Sequence, residues 1–203
     1  MLSPFKPIVL TAAMRPATSI AADGPQNLAD AVAAARDAHA HGVLVAFAGR
    51  IWAGAEVRKV HSYRVDAFDA GDAGPLAVVQ EGALRWFREA PRGEALGLVR
   101  LARDAAQWPR VEIVMNHAGA NGLIVDALLA QGVHGIVAAG TGNGTLHRDL
   151  EAALLRAQGA GVQVRRSTRC AEGPVIGGAL LRSAGTLSPV QARVALMLEL
   201  LVE

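Results

Sequence analysis

Short β-branched apolar runs, separated by helix-length segments and glycine-rich turns, set the strongest limit on what this chain can fold into. Ile8 to Ala12 is one such run, with Pro7 before it and Met14-Arg15-Pro16 after it marking a strand that ends in a loop. Asp23-Gly24-Pro25 then opens a helix, where Asp23 suits the N-cap and Pro25 the first turn. Apolar Leu28, Val32 and Ala35 keep helical spacing until His41-Gly42 ends it, and Val43 to Phe47 follows as a second buried strand. A strand, helix, strand succession of this kind builds a parallel sheet, so the fold class is α/β.

Between Ile51 and Phe87 the pattern shortens to extended pieces, with a hairpin of Leu76 to Gln80 and Ala83 to Phe87 around Glu81-Gly82. Pro91, Gly93 and Pro109 flank a short helix expected from Glu94 to Ala106, and the domain boundary falls there. Beyond it the alternation resumes. Strands are expected at Val111 to Met115, Gly135 to Ala139 and Val162 to Arg165, with helices at Leu123 to Ala130, Leu146 to Gln158 and, capped by Ser188, Pro189 to Leu201. The domains expected are therefore 1–90, a linker 91–109, and a smaller parallel-sheet, Rossmann-like α/β domain 110–203, whose loops after strands are the natural place for ligands.

Composition excludes several classes of function. With 52% hydrophobic and 19% charged residues the chain can bury a core. No apolar stretch approaches the roughly 20 residues needed to cross a bilayer. A net charge of +2 does not call for nucleic acid or an anionic membrane. One cysteine, Cys170, excludes a disulfide framework and a Cys-rich zinc site. No export pattern is visible, so the compartment expected for the chain as given is cytoplasmic; a leader in a preceding segment would make it periplasmic.

The glycine loop Gly140-Thr141-Gly142-Asn143-Gly144 stands where a dinucleotide fingerprint would stand, but the third glycine falls at Thr145 and the next strand ends in Arg165-Arg166 in place of an acid. A tight turn between strand and helix is the plainer reading, and nucleotide binding is the weaker alternative. Arg165, Arg166 and Arg169 have no interleaved aromatic residues and read as structural ion-pair partners. The histidines show no metal spacing beyond His39 and His41 at a helix end, a helix-terminus cation pair, so no metal and no cofactor are expected. Of 20 cationic residues only Lys6 and Lys59 are lysine. Lysine can give up its proton where arginine cannot, which makes Lys59 a candidate proton carrier beside its plain reading as a surface residue.

Several segments together resemble the bacterial L-asparaginase/glutaminase family, enzymes that hydrolyse side-chain amides with a threonine nucleophile. The run from Thr11 through Ala13-Met14-Arg15-Pro16 to Asp23-Gly24-Pro25-Gln26-Asn27-Leu28 is similar to that family's AMRP...SADGPxNL segment. Val57-Arg58-Lys59 with Val65-Asp66-Ala67-Phe68 and Gly74-Pro75-Leu76 is similar to its VxK...DAF...GPLG run. Gly135 to Gly144 resembles its GIVxAGxGNGN loop, Arg166-Ser167-Thr168-Arg169 its RSSR, and Gly185 to Arg193 its GxLNPQKAR. The matches run in order along nearly the whole chain.

The resemblance implies a set of roles. Lys59 matches the lysine that pairs with a threonine and an aspartate to activate a hydroxyl. The backbone of Ala13 matches a position lining the substrate amide. Asn143 matches the first Asn of the GNGN loop, and Thr145 stands where the second, substrate-contacting Asn would be. Glu172 is the only acid between Cys170 and Gly185, where the family carries one that reaches the partner's substrate amine. The TGGT and TD segments that hold the family's threonines do not occur in these 203 residues. The expectation is an N-terminally truncated asparaginase-type amidohydrolase, acting on L-asparagine or L-glutamine, forming a homodimer or homotetramer, and inactive as this chain alone. The alternative is a non-catalytic remnant or interaction protein.

Overall fold

The computed structural model describes residues 6–93, 101, 104–178 and 180–201. They belong to two compact units, Met1–Ala95 and Leu96–Glu203. The class is α/β, with a mixed sheet in the first unit and a parallel sheet in the second. No helix among the described residues is long and apolar enough to cross a membrane.

The first unit opens with β1 (Ile8–Leu10), α1 (Gly24–Arg36) and β2 (Val43–Phe47). β1 and β2 pair in parallel, Ile8 opposite Val43 and Leu10 opposite Val45, as the strand, helix, strand pattern requires. The chain then reverses through Ala48-Gly49 into β3 (Arg50–Ala53), makes an excursion through β4 (Arg58–Lys59) and β5 (Phe68–Asp69), and returns as the hairpin β6 (Ala77–Gln80) and β7 (Ala83–Trp86). The five-stranded order is β1-β2-β3-β6-β7, antiparallel after the first pair.

α1 covers one face of this sheet, packing Ala31 and Ala34 on Leu44, Ala46, Ile51 and Ala77. The stripe Leu28, Val32, Ala35 read from the sequence is not the buried one: Leu28 and Val32 are 59% and 50% exposed. Asn27, Asp30, Ala31 and Ala34 face inward instead. Two alanines let the helix lie close to the sheet, and the hydrogen bonds of Asn27 set its rotation. Phe47 and Trp52 are buried, and Phe68 of β5 packs its ring 4.6 Å from that of Phe47.

The second unit is more regular. β8 (Val111–Met115), β9 (Gly135–Gly140) and β10 (Gln163–Thr168) form a parallel sheet in the order β10-β9-β8, and every residue of the central strand is buried. α2 (Leu123–Ala130) and α3 (Arg148–Gly159) build a core with it from Val125, Leu128, Leu150 and Leu154 on Val114, Ile136, Ala138 and Val164. α4 (Pro189–Leu200) sets Ala192 and Leu196 against Val111 and Val137 in a separate cluster. Gly135 permits this approach, since a Cβ there would lie 2.9 Å from Leu196 Cδ2. Ser188 caps α4 in a reciprocal box with Gln191. The helix expected over 94–106 lies largely outside the described residues, which show a 3₁₀ turn at Ala105–Gln107.

Two tight turns in the first unit place non-glycine residues in the left-handed region, Ala48 and Glu81, each at φ 51° and each followed by a glycine. Two-residue hairpin turns favour Asn or Gly at such a position because a Cβ there crowds the backbone. Glu81→Asn is expected to raise stability by about 1 kcal/mol, read as a shift of the urea midpoint at constant slope; an unchanged midpoint would mean that the turn carries no strain.

Candidate functional site

In the first unit the loop after β1 is held by two side chains from the start of α1. The Asp23 carboxylate accepts from the backbone N–H of Met14 at 2.9 Å and of Arg15 at 2.9 Å. Asn27, 1% exposed, donates to Ala12 O at 2.9 Å and to Asp23 Oδ2 at 3.1 Å, and its Oδ1 accepts the N–H of Ala48 at 2.9 Å. Thr11 Oγ1 donates to Ala46 O at 2.9 Å. The backbone of Ala12 to Arg15 is thus fixed from both sides, while Ala13 itself stays exposed.

Asp23 occupies the N-cap position expected of it, but its side chain makes no capping bond to α1. The carboxylate turns back to the preceding loop, where it collects two backbone N–H groups and the Asn27 amide in charge-assisted bonds. Burial pushes this carboxyl up, yet the hydrogen bonds from Met14, Arg15, its own N–H and Asn27 outweigh that and hold it below the usual aspartate value.

Lys59 lies on β4, paired with Phe68 of β5, and its side chain is exposed. The ladder continues through the N–H of Val60 to Ala67 O at 2.8 Å. Ala13 and Lys59 are therefore residues of the first unit, and Asn143 and Thr145 of the second.

In the second unit the loops cluster at the carboxyl ends of the strands, where α/β sheets bind ligands. After β9 the chain closes on itself: Thr141 and Thr145 exchange backbone bonds at 3.0 and 2.8 Å. Gly140 is required for this, since a Cβ would sit 2.5 Å from the carbonyl carbon of Gly144. Thr168 Oγ1 donates to Gly142 O at 2.6 Å. The buried Asn116 takes the N–H of His147 at 2.7 Å and donates to Thr145 O at 3.3 Å. α3 begins only at Arg148, so the glycine loop is a closed turn and does not open a helix as a dinucleotide loop would.

The amide of Asn143 is engaged in a reciprocal pair: Nδ2 donates to Ile176 O at 2.9 Å and Oδ1 accepts the N–H of Ile176 at 2.7 Å. Thr145 is exposed. Of the basic cluster, Arg165 makes the ion pair expected of it, with Glu199 at 2.7 Å, whereas Arg166 donates to the backbone carbonyl of Gly177 and not to an acid. Asn116 carried no signal in the sequence, being a lone asparagine after a strand. Asp23 and Asn27 were visible within a motif, though their actual bonds were not.

Comparison with known proteins agrees with this architecture. Residues 1–92 match the family model described as asparaginase, N-terminal, and residues 110–201 match the glutaminase/asparaginase C-terminal domain. The chain is 36% identical over 204 residues to L-asparaginase 2 of Escherichia coli (strain K12), a match covering 96% of this chain and 59% of that protein. It is 35% identical over 181 residues to a glutaminase-asparaginase of Pseudomonas fluorescens biotype A, covering 88% of this chain and 49% of that one. The crystal structure of a probable cytoplasmic L-asparaginase from Campylobacter jejuni superposes with a TM-score of 0.89 at 33% identity, covering 98% of this chain and 67% of that chain. A two-part α/β chain whose halves match both domain models, in order, is an asparaginase-type chain. It belongs to the L-asparaginase/glutaminase family and spans 59% and 49% of the length of these two curated relatives.

Two outcomes follow from the geometry. Asp23→Ala removes the bonds that its carboxylate accepts from Met14, Arg15 and Asn27 and is expected to cost about 2 kcal/mol. Because the folded carboxyl titrates below its unfolded value of about 4, this contribution is present above that pH and is lost as pH falls through the folded pKa. Urea titrations at pH 7 and pH 3 should therefore show a larger difference between wild type and variant at pH 7. Asn143→Ala is expected to free the backbone around Ile176, seen as faster cleavage there in limited proteolysis; unchanged cleavage would show that the pair holds nothing.

Proposed function

We propose that these residues form the lysine-bearing and C-terminal-domain part of an amidohydrolase that converts L-asparagine to L-aspartate and ammonia, with L-glutamine as the second candidate substrate. The observation that carries this reading is the 36% identity over 96% of the chain to a protein named L-asparaginase 2. In the reaction a threonine hydroxyl attacks the side-chain amide carbon, the C–N bond breaks, and ammonia leaves with a proton. Water then hydrolyses the acyl ester and returns the threonine. Lys59 is the proposed carrier of the proton released by the hydroxyl. Ala13 presents its backbone to the amide, and the immobilised stretch from Ala12 to Arg15 supports that role, since a donor or wall at the reacting group has to be held before substrate arrives.

Asn143 and Thr145 are proposed to lie beside the bound amino acid of a neighbouring subunit in a homodimer or homotetramer. A threonine at position 145 keeps one hydroxyl where an asparagine would offer an amide, which bears on substrate affinity. No metal or cofactor takes part in the proposed chemistry, and cytoplasmic is the proposed compartment for the chain as given. Because neither threonine segment occurs in the sequence, catalysis needs a threonine from outside these 203 residues.

One observation favours the second reading, a non-catalytic interaction protein. Ile8 and Leu10 are 39% and 54% exposed on β1, an edge strand of its sheet among the described residues. Exposed apolar edges invite pairing with another chain.

Ammonia release from L-asparagine separates the two readings. The purified 203-residue chain is expected to give none above background, and measurable turnover would contradict the absence of the nucleophile. Combined with a family polypeptide that supplies both threonine segments, turnover should appear. There Lys59→Met should lower kcat by at least about 100-fold; unchanged kcat would remove Lys59 from the mechanism, and no turnover at all would favour the interaction protein.

A further inference from the structure

We propose that Arg88 is a positioning residue for Lys59, clasping both legs of the arm that carries it; this rests on the reading that Lys59 moves a proton. The arm is the excursion between β3 and β6. It leaves through a turn in which Glu56 and Val57 donate to Ala53 O, both at 3.0 Å, runs out along β4 and back along β5, and rejoins the sheet after a 3₁₀ turn at Gly71–Ala73. Its ladder pairs Arg58 with Asp69 and Lys59 with Phe68 and ends with the N–H groups of Val60 and His61 on Ala67 O. A ribbon of that length has no stability of its own. The position of the Lys59 amine is therefore decided by whatever fixes the arm to the sheet.

Among the described residues, the following attachments tie it to the sheet. Phe68 rests on Phe47 near the tip. Gly54 lies so close to β2 that its N–H donates to Val43 O at 2.8 Å, and a Cβ on it would stand 2.9 Å from Val43 Cγ1. A further attachment is Arg88, two residues beyond β7, whose own backbone is tied by the N–H of Phe87 to Leu76 O at 2.8 Å. Its Nη2 donates to Glu56 Oε2 at 2.5 Å and to Gly74 O at 2.7 Å, and Nη1 donates to Glu56 Oε1 at 3.4 Å. Glu56 stands three residues before Lys59 on the outgoing leg, and Gly74 is on the returning leg. One planar guanidinium therefore closes the base of the arm from both sides.

The chemistry of this contact is specific to arginine. A rigid fork can hold a carboxylate by two nitrogens and still direct an N–H to a carbonyl, whereas an ammonium offers a single point of charge. The side chains of Arg88 and Glu56 are 29% and 24% exposed, so the pair is shielded more than an ordinary surface ion pair, whose worth is close to nothing. Holding the arm in one place matters because proton transfer needs the amine within hydrogen-bond reach of the hydroxyl it serves, and small displacements there are costly.

The presence of only two lysines in the chain makes the test direct. Reductive methylation with ¹³C-formaldehyde gives one dimethyl-lysine signal for Lys59 and one for Lys6 beside that of the α-amine, with Lys59→Arg assigning the first. In Arg88→Met the Lys59 signal should move from its wild-type position, and the amide of Val60 should exchange with solvent at least tenfold faster, while amides of β2 exchange as in the wild type. Arg88→Lys, keeping the charge without the fork, should recover part of both effects. An unchanged Lys59 signal with unchanged Val60 exchange in Arg88→Met overturns the proposal. If Arg88→Met fails to fold, Glu56→Gln provides the same comparison, with a threefold or greater rise in Val60 exchange expected and no rise counting against the clasp. These readouts require no turnover, so they stand apart from the kcat of Lys59→Met, which tests the reading of Lys59 itself.

Discussion

A buried asparagine holds the loops of each unit in place, and the geometry of both candidate regions depends on it. Asn27 joins three backbone stretches that are distant in sequence: the loop after β1, the start of α1 and the turn between β2 and β3. Asn116 joins the end of β8 to the loop that follows β9. An asparagine suits this task because one small amide both donates and accepts, so it can satisfy a carbonyl and an N–H that face each other across a gap. Left unpaired in a buried place, either backbone group would cost on the order of 1–3 kcal/mol. In both units the loops at the carboxyl ends of strands are consequently shaped before any ligand is present.

Around these anchors the two units use different means of immobilising backbone. In the first, charge does much of the work: Asp23 gathers the N–H groups of Met14 and Arg15, and Arg88 gathers Glu56 and Gly74. In the second, most of the contacts are neutral, with Thr168 on Gly142, Asn143 on Ile176 and the closed turn from Thr141 to Thr145, beside the Arg166 guanidinium on Gly177 O. The difference follows from the sheets. A fully buried central strand such as β9 sets the direction of its following loop by packing as well as by hydrogen bonds, whereas β1 has three residues and stands at the edge of its sheet among the described residues. Its loop needs the bracket from α1 to keep one shape.

Much of the element layout was legible because hydrophobic period and punctuation carry it. Val43–Phe47, Val111–Met115 and the hairpin around Glu81-Gly82 stand where their apolar runs and turn residues put them, and Ser188 caps the last helix as its position suggests. The rotation of α1 was not legible. Leu28 and Val32 have the spacing of a core stripe, yet the inward face consists of Asn27, Asp30, Ala31 and Ala34, because close helix-to-sheet packing and the bonds of Asn27 outweigh the gain from burying two larger side chains. Asp23 stands at the N-cap where its place in the sequence puts it, while the direction of its bonds depends on a loop that only the folded chain brings near.

The sequence by itself determined the α/β class, the order of the elements and the family, since these rest on local periodicity and on residues that stand in unbroken runs. It also singled out Lys59, through the scarcity of lysine and through its motif. Only the tertiary structure decided what holds those residues. That Asn27 spans three segments, that Asn143 spends its amide on Ile176, and that Arg88 closes the arm bearing Lys59 are contacts across 21, 33 and 32 positions of chain. A hydrogen bond has a direction as well as a partner, and for groups so far apart along the chain both are settled by how strands and helices pack, which no local pattern records.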